Sequence, residues 1–207
     1  MADRSKIKKL MIAIPTHDYI HHLFVNSLLK LTQRLQKDGV DFEVVFKYGT
    51  LLYMQRDWLV DKAIDGGFSH MLWFDADMVF PEDILDLLCE PEADLVSGIA
   101  VNRHGNGRSC LFKTLGPDVR YENDDYPKDI FEIEGCGFAC VLVDTKAMNY
   151  IRDRCGLCFQ PMPQYSEDLT CCHHLKRYGF KMMANPKAMI GHIGQAVIYP
   201  DRAMEIV

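Results

Sequence analysis

The chain has 207 residues, with 23 basic against 29 acidic side chains and a formal charge of −6. That length suits one domain and buries roughly 70% of the surface its unfolded form exposes, so no disulfide or metal staple is needed. The negative balance excludes nucleic-acid affinity driven by overall charge, and 48% hydrophobic with 25% charged residues excludes disorder. No apolar run approaches the roughly 18 residues of a transmembrane segment. A basic start leads into a short apolar stretch that ends in Pro15-Thr16-His17-Asp18 without a small-residue cleavage site. A first strand is expected there, not a signal peptide. With no secretion signal, the eight cysteines are expected to be reduced thiols in a cytoplasmic protein.

In chain order, LMIAIP at 10–15 reads as a strand buried on both faces. A stripe at 20, 24, 27, 28, 31 and 35 predicts a helix over 19–38, with Asp18 as N-cap and Gly39 just past its end. FEVVFKY at 42–48 predicts a second strand, 54–65 a helix stopped by Gly66-Gly67, and HMLWFD at 70–75 a third strand. Pro81, Glu82 and Asp83 open a short helix through Leu88, and 94–97 forms a short strand. Residues 102–129, rich in Asn, Gly, Asp and Arg, predict a long irregular segment with a hairpin around 109–113. CGFACVLVD at 136–144 returns as a buried strand, followed by helices at about 145–153 and 166–178, and 181–192 ends in Ile190-Gly191-His192.

This alternation implies right-handed crossovers and a central, mostly parallel sheet flanked by helices. The expected class is α/β, as a single domain over 1–207. Ligands of such sheets sit beyond the carboxyl ends of the strands. Three of those ends read Pro15-Thr16-His17-Asp18, Tyr48-Gly49-Thr50 and Asp75-Ala76-Asp77, so polar chemistry collects on one edge.

The sharpest local signal is LWFDADMVF. Two carboxylates at i and i+2 after an apolar strand can reach one divalent cation, and Mg²⁺ or Mn²⁺ prefers such oxygen ligands together with phosphate oxygens. The plain alternative is that the acids only end a strand and cap the next helix. A second set, Cys155-Gly156-Leu157-Cys158 followed by Cys171-Cys172-His173-His174, has zinc-like spacing through Cys155, Cys158, Cys171 and His174. Cys172 lies on an apolar stripe, where a cysteine packs as a small hydrophobe.

The layout RDWLVDKAIDGGFSHMLWFDAD at 56–77 resembles the family-2 glycosyltransferases of the GT-A fold: a basic residue opening a helix, a glycine pair, an apolar strand, then Asp-x-Asp. The strand IAIP ending in Thr16, the Gly135-Cys136-Gly137-Phe138 loop, Glu167-Asp168 at a helix start and the late His192 follow the family's order, from about 10 to 194. The resemblance implies a GT-A (nucleotide-diphospho-sugar transferase-like) fold with a nucleotide-binding half over about 8–100 and an acceptor-side half over about 101–207. It implies transfer of a sugar from a nucleoside-diphosphate sugar to a hydroxyl acceptor, with inversion and a Mn²⁺ or Mg²⁺ cofactor. Pro15, Thr16, His17, Asp18, Arg56, Asp75 and Ala76 would bind the donor, with Arg56 at the diphosphate. Asp75, Asp77 and His192 would hold the metal. Gly135, Cys136 and Gly137 would line the acceptor side, and Asp168, with Glu167 beside it, would be the general base.

The second strand ends in Tyr48-Gly49-Thr50 where many family members carry acids, so UDP- and GDP-linked donors both stay open. A glycan, lipid, protein or modified nucleic acid could each be the acceptor, and Arg103, His104, Arg108 and Arg120 would suit an anionic one. Two alternatives belong to other classes. A haloacid-dehalogenase-like, Mg²⁺-dependent phosphatase would use Asp75 as nucleophile and Asp77 as acid/base, although its motif usually ends the first strand and here two strand–helix units precede it. A non-catalytic nucleotide-sugar-binding or interaction module would need no function at Asp168.

Overall fold

Leu10, Ile12 and Ile14 of the first strand pack into one apolar layer, while Met11 and Ala13 pack into another. The third strand repeats this, with Leu72 and Phe74 on one side and Met71 and Trp73 on the other. Successive side chains point to opposite faces, so a continuous apolar run can serve two cores only as a strand covered on both sides. The computed structural model describes residues 4–17, 19–102, 108–116, 118–122, 125–194, 196–198 and 204–206.

The elements in order are β1 (Leu10–Thr16), α1 (His22–Lys37), β2 (Phe42–Tyr48), α2 (Leu52–Asp65), β3 (His70–Phe74), β4 (Met78–Val79), α3 (Ile84–Cys89) and β5 (Leu95–Ile99). Then come β6 (Arg108–Leu115), β7 (Asp118–Glu122), β8 (Phe131–Glu132), β9 (Gly135–Cys136), β10 (Cys140–Asp144), α4 (Thr145–Cys155) and α5 (Glu167–Arg177). β11 (Met182–Met189), β12 (Gly191–Ile193), β13 (Ala196–Ile198) and β14 (Met204–Ile206) complete the chain. A seven-stranded sheet runs β2-β1-β3-β10-β5-β11-β8. Helices α1 and α3 cover one face, and α2, α4 and α5 the other.

β2, β1, β3, β5 and β11 share one direction, as expected, but β10 lies antiparallel between β3 and β5. The reason is where the chain has been. After β5 the chain forms β6 and β7, adds β8 beside the start of β11, and returns through β9 to the sheet's carboxyl edge, so it re-enters from that edge, with Cys140 opposite Phe74 and Asp144 opposite His70. The segment expected to be irregular contains a longer hairpin than the sequence suggested: β6 pairs with β7 on one side and with β9 on the other. The expected strand at 136–144 is therefore broken, with Cys136 in the small sheet and Cys140 in the large one. The stretch 181–192 likewise divides into β11 and β12.

Helix α1 starts later than expected, and its N-cap is His21, whose Nδ1 accepts from Leu23 N–H at 3.2 Å; Asp18 lies outside the described residues. Ser166 does stand at the N-cap of α5, but its side chain makes no capping hydrogen bond. Gly135 is a packing glycine: a Cβ there would meet Leu115 Cδ2 at 2.7 Å and Leu169 Cδ2 at 3.2 Å. Gly135→Ala is expected to destabilise by about 1–3 kcal/mol, read as a lower midpoint of urea unfolding, because the β9–α5 contact leaves no room for a methyl group.

Candidate active site

The carboxyl ends of β1 and β3 open into a cleft of about 850 Å³, lined by Pro15, Thr16, His17, Gln55, Asp75, Ala76, Asp77 and His192, among others. Gln55 of α2 ties the strand ends together. Its Oε1 accepts from Thr16 N–H at 3.0 Å, and its Nε2 donates to the Gly49 carbonyl at 2.8 Å. The Asp75-Ala76-Asp77 turn is clasped from below, where the rings of Phe74 and Phe80 stack at 3.9 Å and 9°. Asp75 N–H donates to the Ala139 carbonyl at 3.3 Å, which fixes where the turn leaves the sheet.

His192 reaches this turn through a strand pairing that spans most of the sequence. β12 pairs antiparallel with β4, setting His192 opposite Met78, and Ile193 N–H donates to the Asp77 carbonyl at 2.8 Å. His192 Nε2 then lies 3.2 Å from Asp77 Oδ2. His192 Nδ1 lies 2.9 Å from the Val101 carbonyl, which can only accept, so Nδ1 carries a proton. Nε2 is left to face a carboxylate oxygen, and the contact is favourable only when a cation, proton or metal, joins the two. Burial lowers the His192 pKa, but the hydrogen bond and charge of Asp77, the Val101 carbonyl and the charge of Asp75 together raise it.

The same arrangement fits a divalent ion. Two ligand atoms each about 2.1 Å from one ion at right angles are about 3.0 Å apart. A backbone carbonyl that accepts from the other ring nitrogen, and so fixes the tautomer, is the usual companion of a metal-bound imidazole. The expected three-residue set does not form, however. Asp75 turns its Oδ1 onto Arg56, and among the described residues no three His, Cys, Asp or Glu side chains converge on one metal position. Asp77 and His192 are the pair that meets; the carboxylate oxygen fits Mg²⁺ or Mn²⁺, and the imidazole nitrogen favours the transition metal of the two, with open positions left for phosphate and water.

Arg56 is not where the sequence reading put it. Its side chain is 1% exposed, so it cannot present a fork to a diphosphate. The guanidinium is enclosed by Trp73, Phe138 and Phe159, at 5.9, 5.5 and 5.7 Å from their ring centres. Nη2 bonds Asp75 Oδ1 at 3.0 Å and forms an ion pair with Asp168 Oδ1 at 3.3 Å. Among the described residues Nε and Nη1 have no hydrogen-bond partner, so ring faces pack against them while the charge is met by Asp168 and Asp75. Phe159 is held for this role by α2 itself: Asp57 Oδ1 accepts from Cys158 N–H at 2.7 Å and Phe159 N–H at 3.2 Å.

Asp168 enters from the first turn of α5 and also accepts from Phe138 N–H. Burial pushes its pKa up to about 7; Arg56 and the Phe138 N–H oppose that rise, while Glu167 and Asp75 add to it. Burial likewise raises Asp75, against the pull of Arg56. Of the glycine loop, only Gly137 adjoins the carboxylates, where a Cβ would lie 3.7 Å from Asp168 Oδ2. Gly135 and Cys136 are interior, the latter packed on Cys172.

The zinc-like set does not assemble. Cys155 Sγ lies 3.6 Å from His174 Nδ1, but the Cys158 thiol turns to the Met148 carbonyl at 3.5 Å. Burial raises the Cys158 and Cys171 thiols above their ordinary values, which disfavours the thiolates a zinc site needs. Arg103 and His104 lie outside the described residues. Arg120 stacks over Phe112 at 4.6 Å and Arg108 pairs with Glu122 at 3.9 Å, so both serve the hairpin.

The sequence matches no family model and no curated protein. Solved structures do resemble it. The crystal structure of A197 from STIV superposes with a TM-score of 0.66 at 16% identity, covering 96% of this chain and 93% of that one. GalNAc-T7, crystallised with UDP, GalNAc and Mn²⁺, gives 0.58 at 11% identity, covering 93% of this chain and 45% of that one. A mutant of Drosophila β1,4-galactosyltransferase 7, crystallised with manganese, UDP-Gal and xylobiose, gives 0.53 at 12%, covering 90% and 71%. This chain thus spans less than half of the GalNAc-T7 chain. The fold is that of the GT-A glycosyltransferases, a mixed α/β architecture around a large, mostly parallel sheet.

Proposed function

We propose that the chain is a metal-dependent glycosyltransferase that moves a sugar from a nucleoside-diphosphate donor to a hydroxyl acceptor with inversion. The observation that carries this reading is the Asp77–His192 pair, two ligand atoms 3.2 Å apart at the floor of the cleft. The GT-A fold and the Mn²⁺ and UDP in structures of that fold support it. Asp77 and His192 hold a divalent cation, which when bound neutralises charge on the leaving diphosphate. Pro15, Thr16, His17 and Ala76 border the nucleotide, with Thr16 kept in place by Gln55. Asp75 faces the cleft with 31% of its side chain exposed and positions the donor sugar. Asp168 takes the proton from the acceptor hydroxyl, and an acidity near neutral suits a general base. Arg56 acts from inside, holding Asp75 and Asp168 in one frame rather than touching phosphate.

The test is a thermal-shift panel of UDP, GDP, CDP and ADP with and without Mn²⁺. One diphosphate is expected to raise the melting temperature only when the metal is present, because a ligand that binds the folded state stabilises it by mass action. Asp77→Ala is expected to abolish that shift. Protein that binds no nucleoside diphosphate in the presence of Mn²⁺ or Mg²⁺ would sink the proposal. Among the described residues no helix is long and apolar enough to cross a membrane, so the reading includes no membrane-spanning helix there.

A further inference from the structure

β2 ends the seven-stranded sheet: it pairs with β1 on one side and, among the described residues, with no strand on the other. Leu10 N–H donates to the Asp41 carbonyl at 2.9 Å, while Leu10 stands opposite Phe42. In a parallel pair that phase turns the backbone groups of the odd-numbered β2 residues toward β1. Phe42, Val44, Phe46 and Tyr48 therefore turn theirs outward. Two of these four also carry exposed aromatic rings, Phe46 at 43% and Tyr48 at 79%. Such an edge is a template for another strand unless something covers it.

We propose that β2 is a homodimer interface, in which two copies of the chain join edge to edge, antiparallel, about a two-fold axis at Val45. Charge selects this register. It sets Glu43 opposite the partner's Lys47 and, by symmetry, Lys47 opposite the partner's Glu43. Neither residue has an ion pair within its own chain among the described residues; the Lys47 ammonium instead lies over the Trp58 ring at 4.5 Å. Because their backbone groups face β1, positions 43 and 47 fall at the closely spaced, non-hydrogen-bonded pairs of the new ladder, where side chains approach most. On the other face Phe42 meets the partner's Tyr48, and Val44 meets the partner's Phe46. Moving the axis to Val44 or Phe46 would set Glu43 against the partner's Val45 or the partner's Gly49 and lose the reciprocal ion pairs. A self-complementary patch of this kind is what closed two-fold assembly requires.

The experiment is light scattering on the full chain after size exclusion, across the micromolar range, and does not depend on the glycosyltransferase reading. The wild-type chain is expected to show a concentration-dependent dimer. Lys47→Glu and Glu43→Lys, each with circular dichroism unchanged, are expected to weaken it about tenfold or more. An equimolar mixture of the two variants is expected to dimerise again, since every 43–47 contact is then between opposite charges. Glu43→Lys combined with Lys47→Glu in one chain is expected to restore the homodimer. A wild-type chain that stays monomeric throughout would overturn the proposal, as would a dimer whose dissociation constant ignores both reversals.

Discussion

Arg56→Ala is expected to lower stability at pH 8 by about 3–5 kcal/mol, measured as the midpoint and slope of urea unfolding. The substitution removes the one cation shown bridging Asp75 and Asp168, and it empties a space walled by Trp73, Phe138 and Phe159. The size of the loss comes from what is left behind: two carboxylates, already disfavoured by burial, lose their counter-charge. The deficit is expected to shrink as the pH falls. A buried carboxyl whose folded pKa is raised contributes stability below its unfolded value and loses it as pH rises through the folded value. Without Arg56 both carboxyls rise further, so the variant recovers most where they are protonated. Arg56→Lys is expected to recover only part of the loss. A lysine ammonium is more strongly hydrated than a guanidinium and lacks the planar fork that spans two acids. A loss under about 1 kcal/mol, in the range of a surface pair, would show that Arg56 does not hold the two carboxylates together.

Asp168→Asn is expected to lower transfer by about a hundredfold to ten-thousandfold while leaving metal-dependent nucleotide binding intact. The wild-type rate is expected to climb with pH through about 7, where the Asp168 carboxyl ionises, and the residual rate of the variant should not. Stability should move the other way. The wild-type carboxyl stabilises the fold while it is neutral and loses that contribution as pH rises from the ordinary carboxylate range through about 7. The melting temperature of Asp168→Asn relative to wild type should therefore improve from pH 5 to pH 8. Rate against pH, together with melting temperature against pH, separates a base from a merely structural carboxylate. Unchanged transfer in the variant would remove Asp168 from the mechanism.

Periodicity and composition made the fold class legible. Apolar runs at 10–15 and 70–75, with a strand-forming stretch at 42–48 between them and helical stripes and glycine stops around them, could bury their side chains only as a helix-covered sheet. The order of the polar strand ends placed Pro15–His17 and Asp75–Asp77 along one edge of that sheet, and the structure brings His192 onto Asp77 at that edge. The position of β10 was not legible, because strand direction depends on which edge the chain returns from and no local residue pattern records it. Nor was the extent of the β6–β7 hairpin, which draws on pairing with β9.

Arg56 shows the limit most clearly. A basic residue opening a helix before Asp-x-Asp is assigned to the diphosphate by family resemblance, and its neighbours Gln55 and Asp57 draw no assignment. One signal was present: three consecutive polar residues inside a helix that must pack on a sheet are hard to solvate together. All three are in fact buried, at 4%, 1% and 4% exposed. Most of what they bond comes from residues distant in sequence: Thr16, besides the nearby Gly49, for Gln55, Asp75 and Asp168 for Arg56, Cys158 and Phe159 for Asp57.

Which residue types stand at strand ends follows from local pattern, because hydrophobic periodicity and glycine or proline breaks act within a few residues. Which of those side chains face the cleft and which face inward follows from the packed fold. That choice depends on helix rotation against the sheet and on contacts such as β4 with β12, whose partners are far apart along the chain. Burial then set the charges. The same carboxylate would titrate as an ordinary acid in an exposed helix turn, whereas burial at the start of α5 pushes Asp168 up to about 7 against the opposing pull of Arg56.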